Sequence, residues 1–280
     1  MLSHFFEHLK NKMTFFWLLH MQIIKKNQKW KGRHNGETCL IFGNGASLKY
    51  YNFNAISKIP SIGCTYSLAD NRLVKFGLDY CAVPEPYYFY PVRRNSRSPE
   101  IVINYIGKIM MKIIKRNKKT HFFCSITNFY AFMHRIGNVS YWHHGGEKST
   151  DSYDLAGKFG KCTGSLDMML GMAQYMGFSK AILIGCDYLG DPIMEGHFYQ
   201  DKIPMYQKPD HSYANRIRDV ASTLDVLVLL RKNSKSAVFK SMSFEEYFNA
   251  PEKYHENFEI VENEYLSMMR TAATKKQIFM

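Results

Sequence analysis

Residues 163–188 read TGSLDMMLGMAQYMGFSKAILIGCDY, and this stretch decides the fold. A glycine-serine turn opens it, and the apolar run over 165–176 predicts a helix. Gly177 follows as a stop, since glycine accepts the left-handed turn that ends helices. Residues 181–185 are apolar throughout and too few for a helix, as befits a strand buried on both faces. Helix, short turn and buried strand make half of a parallel β–α–β unit.

The pattern repeats outward. NRIRDVASTLDVLVLLRKNS, residues 215–234, predicts a helix over 215–223 and a strand over 226–230. TCLIFG predicts a strand over 38–43, followed by the turn NGAS. A second strand ends near Thr65 and a third runs through Val83. Prolines 84, 86 and 91 then forbid a regular central strand. Residues 101–120 suit a helix with a basic end, HFFCSIT at 121–127 a strand, and 134–161 a loop-rich segment. The fold class is therefore α/β: a Rossmann-like, mostly parallel sheet with helices on both faces. One nucleotide-binding domain spans 36–280, with a lid over about 188–214 and an N-terminal helical extension over 1–35.

Of 280 residues, 46% are apolar and 22% charged, which excludes a disordered chain. Net charge is +13, from 37 basic and 24 acidic residues. Such a balance suits nucleic acid, an anionic membrane surface or an anionic small substrate. The six cysteines form no C-x-x-C pair and several sit in apolar runs, as reduced thiols of a cytosolic protein do. No run approaches the roughly 20 apolar residues of a spanning helix. MTFFWLLHMQII, residues 13–24, is flanked by lysines. It suits either a bilayer interface or the protein's own core.

Each chemical candidate has a plain structural alternative. Gly43, Asn44 and Gly45 form a tight turn that a ligand can approach, or a simple N-G turn. Thr163, Gly164 and Ser165 precede a helix, where Thr163 or Ser165 caps it or its amides meet an anion. As a pair, the two turns fit a cleft at the carboxyl edge of an open sheet. Asp187 and Asp191 leave a strand end, where they bind a metal or where Asp187 holds the next loop. Their D-Y-L-G-D spacing is not the D-x-D of metal-dependent sugar transferases. His197, Tyr199 and His211 follow in a loop, where a histidine takes a proton from a hydroxyl or is merely polar surface. Asn233 and Ser234 make a polar strand-end loop able to touch phosphate or ribose.

In order, IFGNGASLK, IGCT, the 163–188 block, His211-Ser212 and KNS at 232–234 resemble the bacterial sialyltransferases of glycosyltransferase family 42, the Campylobacter type. Related G-N-G-x-S-L proteins share the pattern. The resemblance covers roughly 38–240 and is patchy. It implies metal-independent, inverting transfer of sialic acid or a similar acidic sugar from a CMP-activated donor to a surface glycan. That donor is a substrate, and no further cofactor is implied. Gly43, Asn44 and Gly45 match the nucleotide turn, Thr65 a donor-contacting asparagine, and Ser165 a serine near the phosphate. Tyr199 lies in the lid that contacts the phosphate, and Tyr188 stands beside the place of a second tyrosine. His211 matches the general base and Asn233 with Ser234 a cytidine-side loop, with Arg216 or Arg218 helping the leaving group. Cys162 stands near where the family has an arginine, so the resemblance carries "nucleotide-sugar transferase" further than "sialyltransferase".

The partners expected are a nucleotide sugar and a glycan or lipid-linked oligosaccharide, with no nucleic acid. A homo-oligomer fits the resemblance, and the basic N-terminus fits a cytoplasmic enzyme peripheral to the bacterial inner membrane. Two other classes share these features. One is another transferase or a phosphotransferase on the same scaffold, which lacks a Walker A lysine here. The other is a basic nucleic-acid-binding protein using its 15% aromatic residues as stacking platforms.

Overall fold

In this computed structural model, residues 13, 17–94, 101–132, 136–144, 152–160, 162–201 and 204–277 are described. The remainder of the expected N-terminal extension lies outside them. A helix through 17–25 (α1) runs into a 3-10 turn at Lys26–Trp30. There follow β1 (Thr38–Phe42), β2 (Ser61–Cys64), α2 (Asn71–Phe76), β3 (Tyr80–Val83), β4 (Val92–Arg94) and β5 (Ile101–Ile103). The middle of the chain forms α3 (Tyr105–Arg116), β6 (His121–Ser125), β7 (Val139–Trp142), α4 (Ser165–Tyr175) and β8 (Lys180–Ile184). The last part comprises β9 (Ile193–Met194), β10 (Tyr206–Gln207), α5 (His211–Val220), β11 (Asp225–Leu230) and β12 (Lys240–Ser243). It ends with α6 (Phe244–Phe248), α7 (Asn257–Ile260) and α8 (Asn263–Thr274).

Eight strands form one sheet in the order β12-β11-β8-β1-β2-β3-β6-β7, and every pairing in it is parallel. The alternation of β1 explains the layers. Leu40 and Phe42 join one core with α3 and α8, while Cys39 and Ile41 join the other with α4 and α5. Successive strand residues point to opposite faces, so a strand covered on both sides is apolar at every position. All six cysteines are free, and five are buried.

Two element boundaries depart from the sequence reading. Residues 101–103 pair with β4 as strand β5 instead of opening a helix. Asn104 then caps α3 by accepting from the Gly107 amide. The second departure moves the start of α5 forward to His211. Asp210 accepts from the amides of Ser212 and Tyr213, which fixes the helix start there.

From β1 the sheet grows one way through β2 and β3, and the chain returns on the other side as β8. The loops after β1 and β8 thus leave neighbouring strands in different directions, which opens a crevice at the carboxyl edge. Among the described residues no helix is long and apolar enough to cross a membrane. In α1, Trp17 and Leu18 face solvent and Ile24 is buried.

Candidate functional site

The floor of the crevice is the crossing of two loops. Amides of Gly43 and Gly45 donate to the carbonyls of Ile184 and Gly185 at 2.8 and 2.9 Å, carrying the β1–β8 ladder past the strand ends. A Cβ at Gly43 would run into the Gly185 carbonyl, and one at Gly45 into the Asp187 carboxylate. Glycine is required here by the neighbouring loop, a cause independent of any ligand. Asn44 is equally engaged: it donates to Thr65 Oγ1 at 3.0 Å and accepts from Ser67 Oγ at 2.8 Å. Thr65 itself holds a positive φ of 35°.

Asp187 lies buried behind this floor. Its carboxylate accepts from the Ser47 amide at 2.8 Å and from the Ser47 hydroxyl. Both oxygens are thereby taken up in holding the loop after β1. Burial pushes the acid up to about 6 despite those donors. Asp191 is exposed and its backbone bridges to Lys235. Among the described residues no group of three or more His, Cys, Asp or Glu is placed to hold a metal.

Above the floor lies a cavity of about 700 Å³. Gly43, Asn44, Gly45, Thr65, Ser165, Tyr188 and Tyr199 all line it, although they are far apart in sequence. Tyr66, Tyr88 and Tyr213 complete an aromatic wall. The Tyr66 and Tyr88 hydroxyls bond at 2.6 Å, and Tyr199 stacks on His197 with centroids 5.2 Å apart. His197 also lines the cavity, with Nδ1 buried and unpartnered. Burial lowers its pKa, so the ring is neutral near pH 7. Among the described lining residues Arg93 is the one arginine, and there is no lysine.

A second cavity, of about 510 Å³, adjoins the first across Glu85, Pro86 and Ser165, which line both. It lies over the ends of β3, β6 and β7 and is lined by Thr127, Trp142, His143, Thr163 and Gly164 among others. Glu85 is half-buried, and its Oε2 is shut off from solvent without a partner. Burial pushes its carboxyl up to about 7. Trp142 is 1% exposed and its Nε1 also lacks a partner. Helix α4 begins at this junction, where Ser165 lines both cavities, and with Gly164 at the cap position no side chain caps it. The capping expected of Thr163 or Ser165 does not form. Asp167 instead takes both the amide and the hydroxyl of Thr163, each at 2.7 Å.

The remaining sequence candidates stand away from these two cavities. His211 is exposed at the first residue of α5, two residues before Tyr213 of the wall. Asn233 and Ser234 form a turn after β11, with Asn233 at φ 68°, and line neither cavity. Arg216 lies over the Tyr213 ring, 3.9 Å from Asp167, and lines neither cavity. The groups that sequence reasoning passed over are Glu85, hidden in a proline turn, and Trp142, at the end of an unrecognised strand. His197 was visible only as one loop histidine among several.

No family model matches the chain, and no curated protein matches it. Among solved structures it is similar to the sialyltransferase CstII of Campylobacter jejuni in complex with cytidine-5'-monophosphate. That match has 13% identity and a TM-score of 0.40, over 84% of this chain and 99% of the other. It is also similar to the monofunctional alpha-2,3-sialyltransferase Cst-I of Campylobacter jejuni, at 14% identity and TM-score 0.45, over 87% and 96%. Likeness at this level bears on neither substrate nor residue roles.

Proposed function

We propose that the chain transfers a glycosyl group from a nucleotide sugar to a hydroxyl of a glycan. The observation that carries this reading is the pair of cavities meeting at Ser165, over the switch point of a parallel sheet. The larger, tyrosine-lined cavity suits the base and ribose. The uncapped start of α4 suits the phosphate, since helix amides favour negative charge. The sugar then extends past Ser165 into the smaller cavity.

In the reaction the acceptor oxygen bonds to the anomeric carbon as the bond from that carbon to the phosphate oxygen breaks. The electron pair leaves with the phosphate, helped by hydroxyls of Tyr199 and Tyr188. The acceptor's proton passes to His211, for an acceptor that approaches along the start of α5. Attack opposite the leaving group inverts the anomeric centre. The sequence resemblance puts a CMP-linked acidic sugar first among donors, with Asn233 and Ser234 on the nucleotide side. In this reading the Gly43–Asn44–Gly45 turn, Thr65, Thr163, Gly164 and Asp187 shape the site, no metal takes part, and residues 188–214 serve as a lid. Exposed Trp17 and Leu18, beside Lys25, Lys26 and Lys29, support a peripheral contact with an anionic bilayer.

Purified protein incubated with nucleotide sugars and a glycan acceptor mixture should release free nucleotide, read by chromatography. His211→Ala should slow release by about 100-fold or more while leaving donor binding intact. Unchanged release in the variant would remove His211 as base and keep the transferase. Absence of nucleotide release and of donor binding across the panel would sink the transferase reading itself.

A further inference from the structure

The smaller cavity holds two buried polar atoms that nothing in the protein satisfies: the acceptor Glu85 Oε2 and the donor Trp142 Nε1. Buried groups of this kind are rare, because each costs free energy until a partner arrives. The pair is complementary, and hydroxyls of a sugar, which both donate and accept, satisfy both at once.

The charge balance of the same cavity narrows the sugar further. Among its described lining residues there is no lysine or arginine. Burial and the positive charge of Lys158 lower the pKa of His143, so this ring adds no cation near neutral pH. The permanent cation facing Glu85 is Arg93, and it lines only the larger cavity. A carboxylate carried into the smaller cavity would meet Glu85 with no lysine or arginine among the described lining residues to receive it. At low dielectric, two like charges a few ångströms apart repel strongly.

We propose that the smaller cavity takes an uncharged or amine-bearing glycosyl group, and that Glu85 is the residue that excludes a carboxylated one. This rests on the two-cavity nucleotide-sugar reading and revises the acidic sugar that the sequence resemblance puts first. Glu85 accepts from a sugar hydroxyl or amine, and Trp142 donates to a sugar oxygen. The acid is mostly ionised at pH 8, above the value of about 7 to which burial raises it.

Calorimetric titration at pH 8 with donors that differ only in one carboxylate tests this. The pairs are UDP-glucose with UDP-glucuronate, and CMP-sialic acid with its methyl ester. In the native protein the uncharged member of the pair that binds should be favoured by about tenfold or more. Glu85→Gln should narrow that gap to within about threefold by restoring the charged member. Trp142→Phe should weaken both members alike while leaving the free nucleotide unaffected. Equal binding of charged and uncharged members by the native protein would overturn the inference and leave the transferase reading standing. Binding of free nucleotide without any gain from either sugar would overturn the sugar assignment of the smaller cavity. Failure of every nucleotide and nucleotide sugar to bind would overturn both readings together.

Discussion

At the loop crossing beneath the larger cavity, Asn44 and Asp187 are satisfied from within the protein. Asn44 is divided between Thr65 and Ser67, and Asp187 holds Ser47 by amide and hydroxyl. Around the walls above, Glu85 Oε2, Trp142 Nε1 and His197 Nδ1 are buried and unanswered. The crossing has the pattern of a structure that sets its own shape. The walls have the pattern of one completed by a ligand, where local rules are broken for the sake of a site. The difference also relocates the signal: the glycine turn that draws the eye in the sequence is scaffold, and the residues that face a ligand's functional groups are less conspicuous.

The sharpest way to break this contrast is Gly45→Ala. The new Cβ would press on the Asp187 carboxylate, which Ser47 holds in place, and on the Gly185 backbone carbonyl 2.6 Å away. Chemical denaturation should show a loss of about 2–4 kcal/mol. A loss under about 0.5 kcal/mol would mean that the crossing yields easily and is not a rigid floor. Next in size is Asp187→Asn. The amide group can keep only part of the Ser47 pairing, so a loss of about 1–3 kcal/mol is expected from the same measurement. A stabilised variant would show that the buried charge costs more than its hydrogen bonds return.

The smallest effect concerns the walls. Glu85 titrates at about 7 in the folded chain, above its ordinary value of 4.5, so the folded form holds the proton more tightly. Its contribution to stability is present at low pH and is lost as pH rises through 7. The melting temperature of the native protein should therefore gain on that of Glu85→Gln as pH falls from 8 to 6.5. Histidines whose pKa burial lowers, His121, His143 and His197 among them, act in the opposite sense toward the acidic end of this window, so the difference between native protein and variant is the quantity read. A difference between the two that stays constant across this window would show that Glu85 is not the titrating group.

Much of the sheet was legible because parallel strands covered on both faces are continuous apolar runs, as β1, β8 and β11 are. Strand β7 was not, since Val139, Ser140 and Tyr141 are only partly buried at the sheet edge and mix polar with apolar residues. Helix α3 was extended too far because Ile101 and Ile103 continue its apolar spacing, and the cap at Asn104 was the overlooked stop signal. The cap at Asp210 has a functional consequence: the sequence reading keeps His211 in a loop, whereas it opens a helix. Of the site, the two glycine turns and the lid tyrosines were legible as strand-end or loop residues. Glu85 was not, because nothing local marks an acid between two prolines as buried. That property comes from β6, β7 and α4 closing over it.

Gln277 deserves a last consequence. Its side chain accepts from the Tyr105 amide at 2.9 Å and donates to the Ile103 carbonyl, and it lines the larger cavity. Farther along the same C-terminal stretch, Asn257 and Arg270 donate to Asp201 at 2.7 and 2.9 Å. This part of the enclosure is therefore made of chain that follows the last strand of the sheet. In evolutionary terms such a wall can drift without disturbing the strands. Exchange of a few residues there would resize the cavity for a different ligand while the crossing beneath it stayed unchanged.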